Sequence, residues 1–442
     1  MNPGLVFVIK PHLLNDLRNS FIPPVLEKIL AKVTNIPDQN VNNDIFQIKD
    51  LKFQVSEIYP KKFKVAPSGS GTFFIGVSDL TIKGSFTIKI NYMINSFTRV
   101  FNFTIPVDKI TLGCHFKNMS ENDLIPKIML SLVNFEFDNN ALILEMFAID
   151  LSDYAVNIAF EQVKPTIISY LKTQIGETIE NDVNNLANDF LVENYPSEFM
   201  FLEEIGIKSR FVKKPFLTAQ TLELFFEGTC FKKFNEIVNF TPPVPLEYKA
   251  EDTQVISLIA SEYSIKTLLH AYVGEQIQTT EGLRLLLNII NVDESLSFED
   301  GYINLQNINL MITKFDENSA LQIDTTITTK VMLSTFLNEN KKLILKITLK
   351  DTQLINTEIY DDSILNYLGI VLGTVAEKVL YFLNEFDIEI PDLELPLGIK
   401  LANADLKIKK GFLKLNPIFD LTAVRANFVS MLNQYLNQVI LI

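Results

Sequence analysis

A proline-rich stretch just past the midpoint is the feature that most limits how this chain can fold. Residues 240–248 read FTPPVPLEY, and three of the four residues 242–245 are prolines. Proline lacks a backbone N–H and has a fixed φ, so this stretch cannot lie inside a helix or a central strand. We expect an extended, stiff spacer. Strand-like patterns flank it at Ala219–Gly228 and Val255–Ile259, which predicts two similar halves joined through a shared central sheet.

Alternation of apolar and polar residues dominates the first half. Between residues 45 and 149 apolar residues recur at every second position, most clearly at 82–92 and 110–116. The first of these runs has on its apolar side Ile82, Gly84, Phe86, Ile88, Ile90 and Tyr92. This period is typical of a long antiparallel meander with one face in water. The apolar face of such a meander needs a cover.

Amphipathic helices are predicted on both sides of this meander. Leu5–Ile9 should be a short buried strand, and a helix at 12–33 should follow, kinked at Pro23–Pro24. The apolar side of this helix carries, at spacings of three and four, Leu14, Leu17, Phe21, Val25 and Ile29. A second helix at 156–190 carries on one side Ile167, Tyr170, Leu171 and Ile175.

The same order of elements returns after the proline-rich stretch. Ser261 is predicted to cap a helix, whose apolar side carries Tyr263, Leu268, Leu269 and Tyr272. Strands are predicted at 321–333 and 343–349, before a long helix at 363–386. The apolar residues of that helix include Tyr367, Leu368, Val371, Leu372, Val375 and Val379. Helix, meander and helix thus occur twice, which predicts a structural duplication.

The last fifty residues continue with strands and end in a helical pattern. Strands are predicted at 393–401 and 406–415. Residues 422–442 then form an amphipathic pattern, whose apolar stripe includes Phe428, Leu432 and Leu436.

Charge and cysteine content narrow the possible partners. With 39 basic and 53 acidic residues the formal net charge is −14. Nucleic-acid binding, which needs a basic footprint, is therefore not expected. Electrostatic docking on anionic membranes is disfavoured unless a local basic patch escapes the average. Two cysteines, Cys114 and Cys230, are too few for a disulfide scaffold, and they could be paired or free.

The sequence offers little to support catalysis, a cofactor or a metal. The three histidines, His12, His115 and His270, are far apart and match no metal-binding motif. The glycines at 69–76 are not followed by the Gly-Lys-Ser/Thr of a phosphate-binding loop, so a turn is the better interpretation. No G-x-S-x-G motif is present. We expect a protein that is not an enzyme and needs no cofactor.

Several local strings, in order and spacing, resemble the bactericidal/permeability-increasing protein family, which includes the lipopolysaccharide-binding, cholesteryl-ester-transfer and phospholipid-transfer proteins. The strings are NPG at 2–4, AQTLE at 219–223, EG at 227–228, PPV at 242–244, SEY at 261–263, GIKLANA at 398–404 and GFL at 411–413. The resemblance covers nearly the whole chain. No single string is diagnostic, but their order is fairly specific.

The resemblance implies an α+β, two-domain boomerang. Each domain would be a twisted antiparallel β-barrel wrapped on long α-helices, and a central sheet and the proline-rich linker would join them. The implied boundaries are an N-terminal lipid-binding barrel at 1–218, central strands and linker at 219–260, a C-terminal lipid-binding barrel at 261–420 and a C-terminal amphipathic helix at 421–442.

The resemblance also implies a lipid site in each barrel. The helix residues named above, with Ile88, would line two apolar pockets for acyl chains, and Phe428, Leu432 and Leu436 would form a lid. The family's conserved disulfide ties a strand to the long N-terminal helix, but Glu180 occupies the helix position here and no cysteine lies nearby. The acidic charge also disfavours lipopolysaccharide binding.

Lipid binding is therefore the expected function. The protein should bind or transfer phospholipid or neutral lipid, touching membranes transiently. The alternative is a structural or interaction protein that docks a partner through its C-terminal helix. We expect secretion or an endomembrane lumen. The N-terminus lacks the basic and apolar regions of a secretory signal, so either a signal has been removed or the protein is not exported. Sequons at Asn102, Asn118 and Asn239 would permit glycosylation.

Overall fold

The computed structural model describes most of the two halves of the chain. The described residues are 2–10, 39–42, 47–59, 62–68, 71–92, 95–119, 125–136, 143–145, nine positions between 165 and 181, 184–200, 204–233, 240–250, 255–273, 276–280, 283–288, 292–316, 319–361, 384–390, 394–395, 399–420, 426–427 and 430.

The described residues form twenty-four strands and three helices whose bounds can be given, and further helical positions occur between 165 and 181. The strands of the first half are β1 (Leu5–Ile9), β2 (Gln39–Asn42), β3 (Gln47–Tyr59), β4 (Lys62–Pro67), β5 (Thr72–Tyr92), β6 (Asn95–Phe116), β7 (Ile128–Glu136), β8 (Ile143–Glu145), β9 (Glu198–Met200), β10 (Ile205–Lys208), β11 (Phe211–Leu217), β12 (Leu222–Phe226) and β13 (Cys230–Lys232). Those of the second half are β14 (Ile256–Ser261), β15 (Gln276–Gln278), β16 (Leu283–Asn288), β17 (Leu296–Glu299), β18 (Tyr302–Asp316), β19 (Ser319–Leu337), β20 (Leu343–Asp361), β21 (Glu385–Glu389), β22 (Glu394–Leu395), β23 (Ile399–Lys409) and β24 (Phe412–Asp420). The helices are α1 (Asn184–Asn194), α2 (Glu262–Tyr272) and α3 (Val292–Ser295).

The architecture corrects the predicted fold class. β-Strands make up most of the described residues, and the helices formed there are 11, 11 and 4 residues long. The strands form four open antiparallel sheets, each with two different end strands, such as β2 and β7 in one and β15 and β21 in another. No ladder of hydrogen bonds joins these ends in the part of the chain that the structure describes. The prediction of closed barrels wrapped on long helices is therefore wrong.

A seven-stranded sheet brings together distant parts of the chain. Its order is β11-β12-β1-β14-β24-β23-β22, so N-terminal, middle and C-terminal segments lie side by side. β1 is fully paired on both edges, with Phe7 opposite Leu224 on β12 and Leu258 on β14. We call this the central sheet.

The two large sheets on either side of the midpoint share one connection pattern. In the first, β3 and β4 pair with different ends of β5, which pairs with β6. In the second, β16 and β17 pair with different ends of β18, which pairs with β19. The duplication predicted from the order of elements is thus present in the sheets.

Several local predictions are confirmed. β1 has the predicted bounds, and Ser261 caps α2, its Oγ accepting a hydrogen bond from Ser264 N at 3.2 Å. Ile110, Leu112 and Cys114 are buried on one side of β6, as their alternation indicates. Two strand predictions are wrong. The strand predicted at 393–401 spans the antiparallel strands β22 and β23, with Leu395 opposite Ile399. The strand predicted at 406–415 contains a hairpin turn at Lys410–Gly411, where Gly411 has a φ of +79°. Glycine adopts that left-handed conformation without the steric cost of a Cβ.

The predicted helices have different outcomes. Helical residues occur among the described positions from 165 to 177, and α1 continues to Asn194 beyond the predicted end. The predicted helices at 12–33 and 422–442 lie outside the described residues, apart from three positions in the latter. The helix predicted at 363–386 lies outside them up to residue 383, and its last two residues, Glu385 and Phe386, belong to strand β21 instead. Within the described residues, no helix has the length and apolarity to cross a bilayer.

Two asparagines attach α1 to the edge strand β7. Asn184 Oδ1 accepts from Leu130 N at 2.6 Å while its Nδ2 donates to Leu130 O at 2.8 Å. One helical turn later, Asn188 bonds Ile128 in the same way, at 2.7 and 2.9 Å. Each side-chain amide therefore occupies the place of a neighbouring strand.

Candidate functional site: the two faces of the central sheet

One face of the central sheet is apolar from edge to edge. Antiparallel partners point to the same side, so the pairing defines rows of side chains across the strands. The first row crosses six strands and consists of Phe211, Phe226, Leu5, Ala260, Leu413 and Ile408. A second row consists of Leu224, Phe7, Leu258, Leu415 and Leu406. We call this side the apolar face; it is the candidate site.

Both ends of the apolar face are covered by other parts of the protein. At the β11 end, Phe211, Phe226 and Leu5 form a buried cluster against which Leu191 and Tyr195 of α1 pack. At the β23 end, a second cluster is formed by Ile408 and residues of β17 to β21, among them Leu296, Phe298, Leu310 and Phe386. The apolar face therefore connects the cores of the two halves.

The second row is less well covered than the first. All five residues of the second row are half-buried, whereas only Ala260 and Leu413 are half-buried in the first row. The ends of the second row still pack on the two clusters, Phe7, Leu224 and Leu258 on one and Leu406 on the other. Neighbouring strands lie ~4.8 Å apart, so this five-residue row is about 19 Å long. The hydrocarbon core of a bilayer is ~30 Å thick, which gives about 15 Å for one acyl chain. The row is long enough for a single acyl chain lying across the strands.

The opposite face has lysines at both ends. Its corresponding row consists of Lys213, Phe225, Val6, Ile259, Lys414 and Lys407. Lys213 Nζ lies 3.7 Å from the centroid of the Phe225 ring, a cation–π contact. We call this side the lysine face. We call residues 240–250 the proline-rich segment. Leu246, Tyr248 and Ala250 of this segment pack on the buried middle of the lysine face, which contains Val6, Val8 and Ile259.

A buried carboxylate holds the proline-rich segment on the lysine face. Glu223 is 8% exposed, and one of its oxygens accepts a hydrogen bond from the Tyr248 hydroxyl. Burial, together with this bond and the negative charge of Glu223, raises the pKa of Tyr248. At the other end of the segment, Asn2 Nδ2 donates to Pro243 O at 3.0 Å. The segment is thus fixed at two points.

Replacing Tyr248 with phenylalanine should destabilise the protein by about 1–3 kcal/mol, because a buried acceptor loses its donor. The pH dependence should also change. A tyrosine whose pKa is raised by folding stabilises the native state below its usual pKa of ~10, and that contribution is lost as the pH rises further. Urea unfolding between pH 8 and pH 11 should therefore show a shallower alkaline loss of stability for Tyr248→Phe than for wild type. Tyr302→Phe serves as the control, and equal slopes for both variants would contradict this prediction.

Four of the predicted site residues lie on α2 and can be placed. Leu269 packs on the core cluster of the second half, and the Tyr263 hydroxyl lies 2.8 Å from Thr229 Oγ1. Leu268 and Tyr272 are half-buried. Ile88 lies on β5, in a part of the strand whose side chains are not described. The remaining predicted residues lie outside the described part: Leu14, Leu17, Phe21, Val25, Ile29, Ile167, Tyr170, Leu171, Ile175, Tyr367, Leu368, Val371, Leu372, Val375, Val379, Phe428, Leu432 and Leu436.

The apolar face was not among the predicted site residues. A partial signal for it exists in the alternation of Leu222, Leu224 and Phe226, and in the uninterrupted apolar run of Leu5–Ile9. The apolar run of β1 indicates that the strand is buried, but it does not indicate which strands pair with it, because β12 and β14 are distant in sequence.

The two cysteines are free and buried. Burial raises the pKa of both the Cys114 and the Cys230 thiol to about 12, although a hydrogen bond with Thr267 opposes the rise at Cys230. Among the described residues, no group of three or more His, Cys, Asp or Glu side chains could hold a metal ion.

Both thiols should therefore resist modification in the native protein. At pH 8 the thiolate fraction should be about a thousandfold lower than for an ordinary cysteine of pKa ~8.5. A colorimetric thiol titration should find two slowly reacting thiols in buffer and two rapidly reacting thiols in denaturing urea. Rapid reaction without denaturant would show that the thiols are accessible.

The chain can be compared with known proteins both by sequence and by this arrangement of sheets. No protein-family model matches the chain, and no curated protein matches it by sequence. A crystal structure of lipopolysaccharide binding protein matches over 95% of this chain and 99% of that chain, with a TM-score of 0.51 and 16% identity. P47 from Clostridium botulinum A2 is aligned over 94% of this chain and 97% of its own, with a TM-score of 0.29 and 11% identity. The first likeness shows a shared fold.

Proposed function

We propose that the protein is a non-enzymatic lipid-binding protein that carries acyl chains against the apolar face. The observation that carries the proposal is the half-buried second row, five apolar side chains on five adjacent strands. A polar ligand would find no hydrogen-bonding side chain there, since every residue of the row is Leu or Phe. Hydrocarbon is the ligand chemistry that matches such a surface.

The energetics favour exchange with membranes. Burying an acyl chain contributes about 0.8 kcal/mol per methylene, or on the order of 10 kcal/mol for a long chain leaving water. A lipid in a bilayer already has this stabilisation, so the protein need only match it. The barrier to transfer is the exposure of the tail to water, which the protein lowers by touching the membrane. We infer transfer of phospholipid or neutral lipid with transient membrane contact.

The shared fold with lipopolysaccharide binding protein supports this proposal, because that protein, as its name says, binds a lipid. We further propose that the chain is a distant member of the bactericidal/permeability-increasing protein family. The net charge of −14 favours a lipid other than lipopolysaccharide. Secretion or an endomembrane lumen is also proposed, and Asn102 and Asn118 of the sequons are exposed.

Native mass spectrometry and solvent extraction of the purified protein test the proposal. We expect co-purified lipid and faster movement of labelled phospholipid between vesicles in the presence of the protein. An absence of bound lipid together with an unchanged transfer rate would rule the function out.

A further inference from the structure

The lysine face differs in charge from the protein as a whole. Six lysines lie on this face. Four are on its strands, one is in the β23–β24 turn and one is in the proline-rich segment: Lys213, Lys407, Lys409, Lys414, Lys410 and Lys249. The carboxylates on the same side are Glu223, Glu247, Asp300 and Asp405. Glu223 is buried beneath Tyr248, so its charge is withdrawn from the surface. Lys407 pairs with Asp405 at 3.3 Å and Lys409 with Asp300 at 3.9 Å. Among the residues of this face whose side chains are described, six lysines and four carboxylates leave a positive excess, on a chain whose net charge is −14.

Exposed apolar side chains lie among these lysines. Phe216 is opposite Glu223 and is 55% exposed, and Ile418, opposite Asn403, is 60% exposed. Val244 in the proline-rich segment is 63% exposed. Phe216 lies on β11 and Ile418 on β24, so these positions lie towards opposite ends of the sheet, with Val244 in the segment that packs between them. The apolar residues are therefore spread over a broad surface instead of collected in one groove.

We propose that the lysine face docks on an anionic lipid bilayer; this rests on the proposed lipid-carrying function. Lysines attract anionic headgroups at short range, and scattered apolar side chains insert at the headgroup boundary. Both contributions are present here, on one nearly continuous face. A protein partner would be expected to match a compact apolar centre with a polar rim, which this face lacks. The lipid-holding row lies on the other side of the sheet, so this contact anchors the protein at a membrane and is separate from the contact through which lipid is exchanged.

Tryptophan fluorescence can locate the docking face directly, because the chain contains no tryptophan. Phe216→Trp and Ile418→Trp each introduce a single reporter. The control is Val133→Trp, on β7 of the first large sheet, where the native side chain is also 55% exposed. With vesicles of phosphatidylcholine and phosphatidylserine, the first two variants should show a blue shift and quenching by brominated lipid. An unchanged spectrum at 216 and 418, or an equal response at 133, would overturn the proposal.

Charge reversal tests the lysines. The variant Lys213→Glu/Lys249→Glu/Lys410→Glu should bind these vesicles about a hundredfold more weakly, since each lysine near an anionic surface strengthens binding about fivefold. The matched control is Lys109→Glu/Lys117→Glu/Lys127→Glu, with the same change in net charge at exposed positions of the first half. If binding falls equally in both variants, or in neither, the proposal is wrong. An acidic protein would then be the alternative partner for this face.

Bound lipid is measured in the same preparations by native mass spectrometry. If wild type carries lipid and the lysine variant binds vesicles normally, the docking proposal is wrong while the carrier function stands. If no preparation carries or transfers lipid, the carrier function is wrong, and the fluorescence result decides docking independently.

Discussion

The double substitution Asn184→Ala/Asn188→Ala should lower the free energy of unfolding by about 2–4 kcal/mol. The two amides make four hydrogen bonds to the backbone of Ile128 and Leu130. Each such bond contributes about 1 kcal/mol net, and backbone groups left without a partner cost more. Water can reach part of this half-buried strand, which sets the lower end of the range.

Chemical denaturation followed by circular dichroism measures this effect. Asp189→Ala lies on the same helix with an exposed side chain, and it should change the stability by less than about 0.5 kcal/mol. Asn184→Asp is informative as well, because a carboxylate can accept from Leu130 N but cannot donate to Leu130 O. We expect an intermediate loss for it. A double variant as stable as Asp189→Ala would show that these bonds are not important for stability.

Asn184 also bonds within its own helix, since its Nδ2 donates to Glu180 O at 2.8 Å. The same side chain therefore holds both the helix backbone and the edge strand β7.

The second large effect is expected for lipid retention. Leu258 and Leu415 lie opposite each other on β14 and β24, in the half-buried row of the apolar face. Leu258→Asn/Leu415→Asn keeps the side-chain size but places two amides against hydrocarbon. Each unpaired amide costs about 1–3 kcal/mol, and 1.4 kcal/mol corresponds to a tenfold change in affinity. Lipid recovered per mole of protein should fall at least tenfold.

The control has the same chemical change outside the apolar face. Leu337 and Ile355 are exposed apolar residues of the second large sheet, and Leu337→Asn/Ile355→Asn should retain wild-type lipid content. Thermal unfolding of both variants establishes that they are folded. If the folded Leu258/Leu415 variant keeps its lipid, or if the control loses as much, the acyl chains do not lie on the second row.

Much of the local structure was predictable from the sequence. The apolar run at Leu5–Ile9, the Ser261 cap and the alternation at 110–116 each depend on interactions within a few residues, so neighbouring residue types were enough to identify them. The strand predicted across 406–415 fails because apolar residues alternate on both sides of Gly411, and the pairing of Lys409 with Phe412 shows that the chain turns at this glycine. The closed barrels failed because closure depends on whether the end strands of a sheet meet, which periodicity does not report.

The sequence by itself determined the alternating strands, the proline-rich spacer between two similar halves and the acidic charge. These properties follow from residue type and spacing along the chain. Only the tertiary structure decided that β1 lies between β12 and β14, and that β24 and β23 extend the same sheet. That arrangement sorts side chains from distant segments into one face of apolar residues and another with lysines at both ends. The physical reason is that a strand's pattern assigns its residues to two sides, while long-range hydrogen bonding selects the neighbours that complete each side.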